Sequence, residues 1–254
     1  MHLAAWRFSR KMKVEIICCM FNEEFLAPYF LRHYAWADRI TILLDTDSTD
    51  RTEEIIKRDP KVNIMPLNMP DGMDDSLKSK QVTGAYLGSL ADWAIIADAD
   101  EFIFMDKSDL DKIESRYGAA RVALYNVYRH VTESDLDPSR PVREQRTHGH
   151  LDARYVKPSI ARGSQALFWG PGHHAIHSEK GIEYCPDIFI GAHWANADLC
   201  FCVERRLKGR RDRQSAVNKA FGWSVQNQGI TESDIISECK QHENDVRIWG
   251  ASEN

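Results

Sequence analysis

The sequence predicts an α/β fold, a mostly parallel sheet with helices on both faces. Two observations carry this. Over the first hundred residues, apolar runs of strand length alternate with helix-length stretches. Three of those runs end in polar or acidic residues, where open α/β sheets place their ligands. At 254 residues and 43% hydrophobic content the chain can bury a large core.

Residues 14–21 form an apolar first strand, closed by Asn22-Glu23-Glu24. Helical spacing follows over 25–36, with Pro28 suited to a first turn. A second strand over 39–44 ends in Asp45-Thr46-Asp47-Ser48-Thr49-Asp50. A short helix over 52–58 stops at Asp59-Pro60, and a third strand covers 62–67. A loop over 66–75 leads to a helix over 76–90 and a fourth strand over 93–97. A helix over 109–117 and a strand over 120–128 come next.

The second half is less regular. Residues 137–150 read as a long polar loop. Short strands are expected over 155–160, 166–169 and 182–190, with a turn at Gly170-Pro171-Gly172. Helices are expected over 199–208 and 231–242, the second with Thr231 as N-cap and Asp234 three residues on.

The formal net charge of −5 argues against a general nucleic-acid binder. No apolar run approaches the about 20 residues that span a bilayer. The first dozen residues are basic and aromatic but lack the apolar centre of a signal peptide. They read as a terminal arm, with a peripheral membrane-surface contact as the alternative. None of the six cysteines makes a Cys-x-x-Cys pair, which fits a reduced, cytoplasmic protein.

The densest chemistry lies at Asp98-Ala99-Asp100-Glu101-Phe102. In an extended strand Asp98 and Asp100 share a face. Two carboxylates aimed together repel unless a cation sits between them, and Mg²⁺ or Mn²⁺ suits oxygen donors. The bland alternative is a strand end capped by turn hydrogen bonds.

With Asn22-Glu23, Asp45 through Thr52, and Asp98 through Phe102 in this order, the first 105 or so residues resemble a family-2-type glycosyltransferase of the GT-A fold. The branch it resembles carries an Asp-x-Asp-Glu-Phe metal motif, then a histidine and a charged helix. Gly191-Ala192-His193-Trp194 and Glu204 to Lys208 stand there. The family has tyrosine and serine around that histidine, whereas this chain has Trp194-Ala195-Asn196-Ala197-Asp198.

The resemblance implies a nucleotide-diphosphate sugar donor, a glycan or lipid-linked acceptor, and Mn²⁺ or Mg²⁺. It implies that Asn22 and Glu23 approach the nucleotide and that Asp45 contacts base or ribose. Asp98 would lie near ribose and metal, Asp100 would bind the metal, and His193 is a further candidate ligand. Cations for the diphosphate are expected among Arg205, Arg206, Lys208, Arg210 and Arg211. Residues 1–12 would be an arm and 13–254 one domain, with donor binding in 13–105 and the acceptor side in 106–254.

Ser48 and Asp50 have an alternative role as a helix cap. The histidines at 173, 174 and 177 are expected to line the cleft, with Lys157, rather than to hold zinc. The Glu-Asp pair that supplies many family members with a catalytic base is missing, and Asp187 and Glu183 are the nearest substitutes. Two rivals stand beside the transferase. A nucleotidyltransferase would need a Gly-rich basic loop where Met20-Phe21-Asn22-Glu23-Glu24 lies. A non-catalytic glycan- or nucleotide-binding descendant is the other.

Overall fold

A computed structural model describes residues 11–163 and 165–249. The expected arm lies outside the described residues except for Lys11 and Met12. The elements in order are β1 (Val14–Met20), α1 (Ala27–His33), β2 (Arg39–Asp45), α2 (Thr52–Ile56), β3 (Val62–Leu67), α3 (Asp75–Leu87), β4 (Trp93–Ile96), β5 (Glu101–Ile103) and α4 (Lys107–Asp111). There follow β6 (Ala119–Tyr128), α5 (Val142–Gln145), β7 (Gly149–Arg162), β8 (Phe168–Trp169), β9 (Ile176–His177), β10 (Tyr184–Asn196), α6 (Leu199–Glu204), α7 (Ala216–Phe221) and α8 (Glu232–His242).

Eight strands form one sheet in the order β3-β2-β1-β4-β7-β6-β10-β5. β3, β2, β1 and β4 run parallel. β7 inserts antiparallel between β4 and β6, and β10 resumes the main direction beside β6. The sheet is therefore mostly parallel, as the sequence predicts.

Period-two alternation explains both covered faces. Val14, Ile16, Cys18, Ile40, Ile42, Trp93 and Ile95 enter one core with Phe30 of α1 and Ile56 of α2. Ile17, Leu43, Ala94 and Ile96 enter the other with Val82 and Tyr86 of α3.

Departures from the expected elements have local causes. β7 begins six residues earlier than expected, because register breaks against β6 interrupt its alternation. β10 runs on to Asn196 and so includes His193. α4 starts two residues early because Asp106 and Asp109 make a capping box. The expected loop over 137–150 contains α5 and is pinned by two polar side chains. Gln145 bonds the Asp137 backbone at 2.7 and 2.9 Å. The fully buried Arg146 donates to the carbonyls of Ala197, Ser134 and Gln145. Thr231 and Asp234 make the expected capping box on α8.

His33 at the end of α1 places Nε2 2.8 Å from the Ile103 carbonyl of β5. Burial lowers its pKa to about 4. Between pH 6.5 and 4 the unfolded chain then binds a proton that the folded chain excludes, so acid removes stability. Unfolding midpoints should fall over that window by at most about 1.4 kcal/mol per pH unit from this group. His33→Gln should flatten the slope in denaturant titrations at pH 7 and pH 5. An equal slope in both proteins would refute the assignment.

Candidate functional site

A cleft opens beside the carboxyl ends of β1, β2 and β4, lined among others by Phe21, Glu23, Asp45, Lys78, Asp98 and Arg205. The turn after β1 is docked to the one after β2. The Thr52 hydroxyl accepts the Glu23 N–H at 2.7 Å, and Asp50 accepts the N–H groups of Glu24 and Thr52 at 2.9 Å each. Asn22 adopts a left-handed backbone, and its Oδ1 accepts the Thr49 N–H at 2.8 Å. The Ser-Thr-Asp-x-Thr segment thus takes up the first N–H of α2 through Asp50, although the cap position itself is Arg51, and also positions Glu23. Asn22, expected beside a nucleotide, spends its side chain on this docking.

Glu23, Asp100 and Arg205 form a buried triad. Arg205 meets Glu23 Oε1 through Nε at 2.9 Å and Nη2 at 2.7 Å, and reaches Asp100 Oδ2 through Nη1. His193 Nε2 lies 3.4 Å from the same Asp100 oxygen, and its Nδ1 is 2.6 Å from Asn126 Oδ1. Burial alone would raise the Asp100 carboxyl, but Arg205 and His193 hold it well below the usual range. Burial raises Glu23, and Arg205 only partly opposes this. Glu23 Oε2 is buried without a hydrogen-bond partner.

A second cation serves Asp98. Lys78 Nζ on α3 lies 2.5 Å from Asp98 Oδ1. Burial would raise Asp98, and Lys78, Lys157 and His173 outweigh it, so the carboxylate stays ionised. Lys157 on β7 pairs with Glu101. His173 is buried with a left-handed backbone and an unpartnered Nε2. Burial, then Lys78, lowers its pKa to about 3. A neutral imidazole nitrogen and a carboxylate oxygen, both buried and unsatisfied, are atoms that a bound ligand would complete.

A third pair sits at the mouth. Arg213 Nη2 bonds Asp45 Oδ2 at 2.8 Å, and its guanidinium stacks 3.4 Å from the Phe21 ring centre. Met73 N–H bonds the Arg213 carbonyl at 2.6 Å, and Ser215 N–H bonds the Met73 carbonyl at 3.1 Å. Gly72 has φ +86°, and a Cβ there would overlap the Arg213 carbonyl.

Residues 205–211 form a π-helical segment after α6. Arg205, Gly209 and Arg210 of this segment line the cleft. Arg206 turns to Glu238 at 2.7 Å and Arg211 to the Ile230 carbonyl at 3.0 Å. Among the described residues Arg210 pairs with no carboxylate, and its Nη1 lies 3.4 Å from Met73 Sδ.

The structure thus gathers Glu23, Asp45, Asp98, Asp100, His193 and Arg205 about this cleft, and leaves other candidates outside it. Lys208 is exposed and pairs with Glu204 at 3.0 Å. Asp187 and Glu183 stand at the opposite end of β10 from His193, beside the starts of β6 and β10. Six strand residues separate Asp187 from His193, about 20 Å, beyond proton-transfer reach. Asp98 and Asp100 lie past the end of β4 in the turn before β5, so strand alternation does not orient them. The ligand atoms of Asp98, Asp100 and His193 do not gather within 4.8 Å of one another. Sequence reasoning missed Lys78 and Arg213. A single lysine in a helix carries no signal, and only tertiary partners distinguish cations within a basic run.

No protein-family model matches this chain, and no curated protein matches it. Solved structures do. TarS of S. aureus matches at 13% identity and TM-score 0.41, over 91% of this chain and 43% of TarS. TarS 1-349 with UDP matches at 13% identity and TM-score 0.42, over 92% of this chain and 88% of the other. Glucosyl-3-phosphoglycerate synthase from Mycobacterium tuberculosis, bound to Mn²⁺, UDP and phosphoglyceric acid, matches at 14% identity and TM-score 0.31, over 47% of this chain and 44% of the other. These scores leave the assignment of function to the chemistry of the cleft. Among the described residues no helix is long and apolar enough to cross a membrane.

Removing Arg205 would leave two buried carboxylates facing each other. Arg205→Met should cost about 3–5 kcal/mol in denaturant unfolding. Adding Glu23→Gln and Asp100→Asn should restore part of the loss. An unchanged midpoint in the single variant would show that the triad does not hold the cleft together.

Proposed function

We propose that this chain is a glycosyltransferase of the GT-A type that moves a sugar from a nucleotide-diphosphate donor to an acceptor hydroxyl. The observation that carries the reading is the meeting of four carboxylates, Glu23, Asp45, Asp98 and Asp100, with four cations, Lys78, Arg205, Arg210 and Arg213, at the carboxyl ends of the parallel strands. Donor binding would fall to 13–105 with the 205–213 segment, and acceptor binding to the rest of 106–254, on a glycan or lipid-linked hydroxyl.

The roles follow from charge. Departure of a nucleoside diphosphate builds negative charge, and aligned cations stabilise it best where water is excluded. Arg210, paired with no carboxylate among the described residues, receives the diphosphate first. Arg205 and Lys78, now neutralising Asp100 and Asp98, turn part of their hydrogen bonding to phosphate oxygens. Asp45, with Arg213 stacked on Phe21, orients the nucleoside. Glu23 Oε2 and His173 Nε2 meet hydroxyls of the donor.

The donor set fits Mn²⁺ or Mg²⁺ in its chemistry. Asp98 and Asp100 offer hard oxygens, and His193 stands beside Asp100 as a third ligand. Bound there, the ion would add positive charge at the leaving diphosphate. Arg205 already holds Asp100, so ion and nucleotide should bind together, the phosphate giving Arg205 a new partner.

The distances of Asp187 and Glu183 from the cleft favour one other reading, a module that binds the nucleotide sugar without transferring it. Thermal unfolding against a panel of nucleoside diphosphates, with and without Mn²⁺, is the test. One nucleotide should raise the melting temperature only with Mn²⁺, by an amount equivalent to about 2.7 kcal/mol at a hundredfold excess over Kd. Arg210→Ala should weaken that shift, and Mn²⁺ alone should give none. Binding with neither sugar release nor transfer would select the binding module. No shift with any nucleotide would refute the donor site.

A further inference from the structure

We propose that His150, His242 and Asp245 form a binding site for a divalent transition-metal ion, with Zn²⁺ the natural occupant. The site is independent of the cleft and of the function read from it. Among the described residues these three form the one set of histidine, cysteine or acidic side chains whose ligand atoms converge within 4.8 Å. His150 Nδ1 lies 3.0 Å from Asp245 Oδ2, and His242 Nδ1 lies 3.1 and 3.0 Å from the two Asp245 oxygens. Ligand atoms of a tetrahedral zinc ion stand about 3.3 Å apart, given bonds of about 2.0–2.1 Å. A small outward movement of each side chain therefore admits an ion without rebuilding the backbone.

The scaffold holds the three rigidly. His150 lies on β7, and His242 is the last residue of α8. Asp245 follows where the chain returns to pair with the start of β7. Gly149 N–H bonds the Val246 carbonyl at 3.1 Å, and Ile248 N–H bonds the Thr147 carbonyl at 2.8 Å. The first of these bonds joins the neighbours of His150 and Asp245 directly. The two imidazoles stack with centres 4.5 Å apart, and the Tyr128 ring lies 4.3 Å from His242. Tyr128 is fixed by its hydroxyl on Glu238 at 2.9 Å.

The donor set selects the ion. Two neutral imidazoles and one carboxylate suit zinc better than the oxygen-preferring Mg²⁺. All three side chains are partly exposed, which leaves an entry path and room for a water as fourth ligand. An ion here would clamp α8 and the C-terminal segment onto β7. His150 pairs across β6 with Asn126, which bonds His193, so the clamp lies two strands from His193, about 10 Å.

Reduced full-length protein would be titrated with Zn²⁺ against a chromophoric chelator, and separately loaded with Co²⁺. One equivalent should be withdrawn from the chelator. Asp245→Asn, which keeps the shape and an acceptor oxygen, should weaken uptake by at least about 100-fold, as should His242→Ala. Cys239→Ser, three residues from His242, should leave it unchanged. The Co²⁺ form should show weak visible bands and no near-ultraviolet thiolate band. No uptake at micromolar zinc, uptake unchanged in Asp245→Asn, or a thiolate band would each overturn the site.

Discussion

Arg205 is the residue on which the cleft depends. Its guanidinium joins the turn after β1, through Glu23, to the turn after β4, through Asp100. Arg205 itself comes from the second half of the chain. Without it, two buried carboxylates would repel across the cleft. With it, the planar fork satisfies both, which a lysine's single ammonium would do less well. Burial works against the charged form, and Asp100 and Glu23 keep Arg205 firmly protonated regardless.

The same logic repeats at two further points. Lys78 brings α3 to Asp98, and Arg213 brings the segment before α7 to Asp45. Asp75 adds an uncharged version, taking hydrogen bonds from Asn218 and Ser224 at 3.0 Å each. Each carboxylate at a strand end is thus matched by a cation from an element far away in sequence. Such pairs contribute little net stability when buried, because desolvation offsets attraction. Their effect is to set which distant elements meet. They also place cations along the lining of the cleft.

The parallel half was legible because its signals are local. Apolar runs of strand length and acidic strand ends each lie within a few residues, and their alternation with helices marks a parallel sheet, while the strand order β3-β2-β1-β4 is seen only in the structure. The antiparallel insertion of β7 was not legible, since bulges against β6 break its alternation. Arg146 shows a second limit. A fully buried arginine that donates through Nε and Nη1 to backbone carbonyls reads in sequence as a charge in a loop. The carboxylates of the cleft were named from sequence, whereas Lys78 and Arg213 were not. A carboxylate at a strand end announces its position, while its partner is defined only by the tertiary path.

The basic segment after α6 sends its cations in different directions, which no pattern in the sequence shows. Arg205, Gly209 and Arg210 of the π-helical segment all line the cleft, and a Cβ on Gly209 would lie 3.8 Å from Arg205 Cγ. Arg206 and Arg211 rotate away to Glu238 and the Ile230 carbonyl, and Lys208 points to solvent. Their tertiary partners therefore separate the cations that line the cleft from those that serve packing. π-turns are uncommon and concentrate at functional sites. Here the segment sets Arg210, paired with no carboxylate among the described residues, on the lining of the same cleft as Asp98 and Glu23.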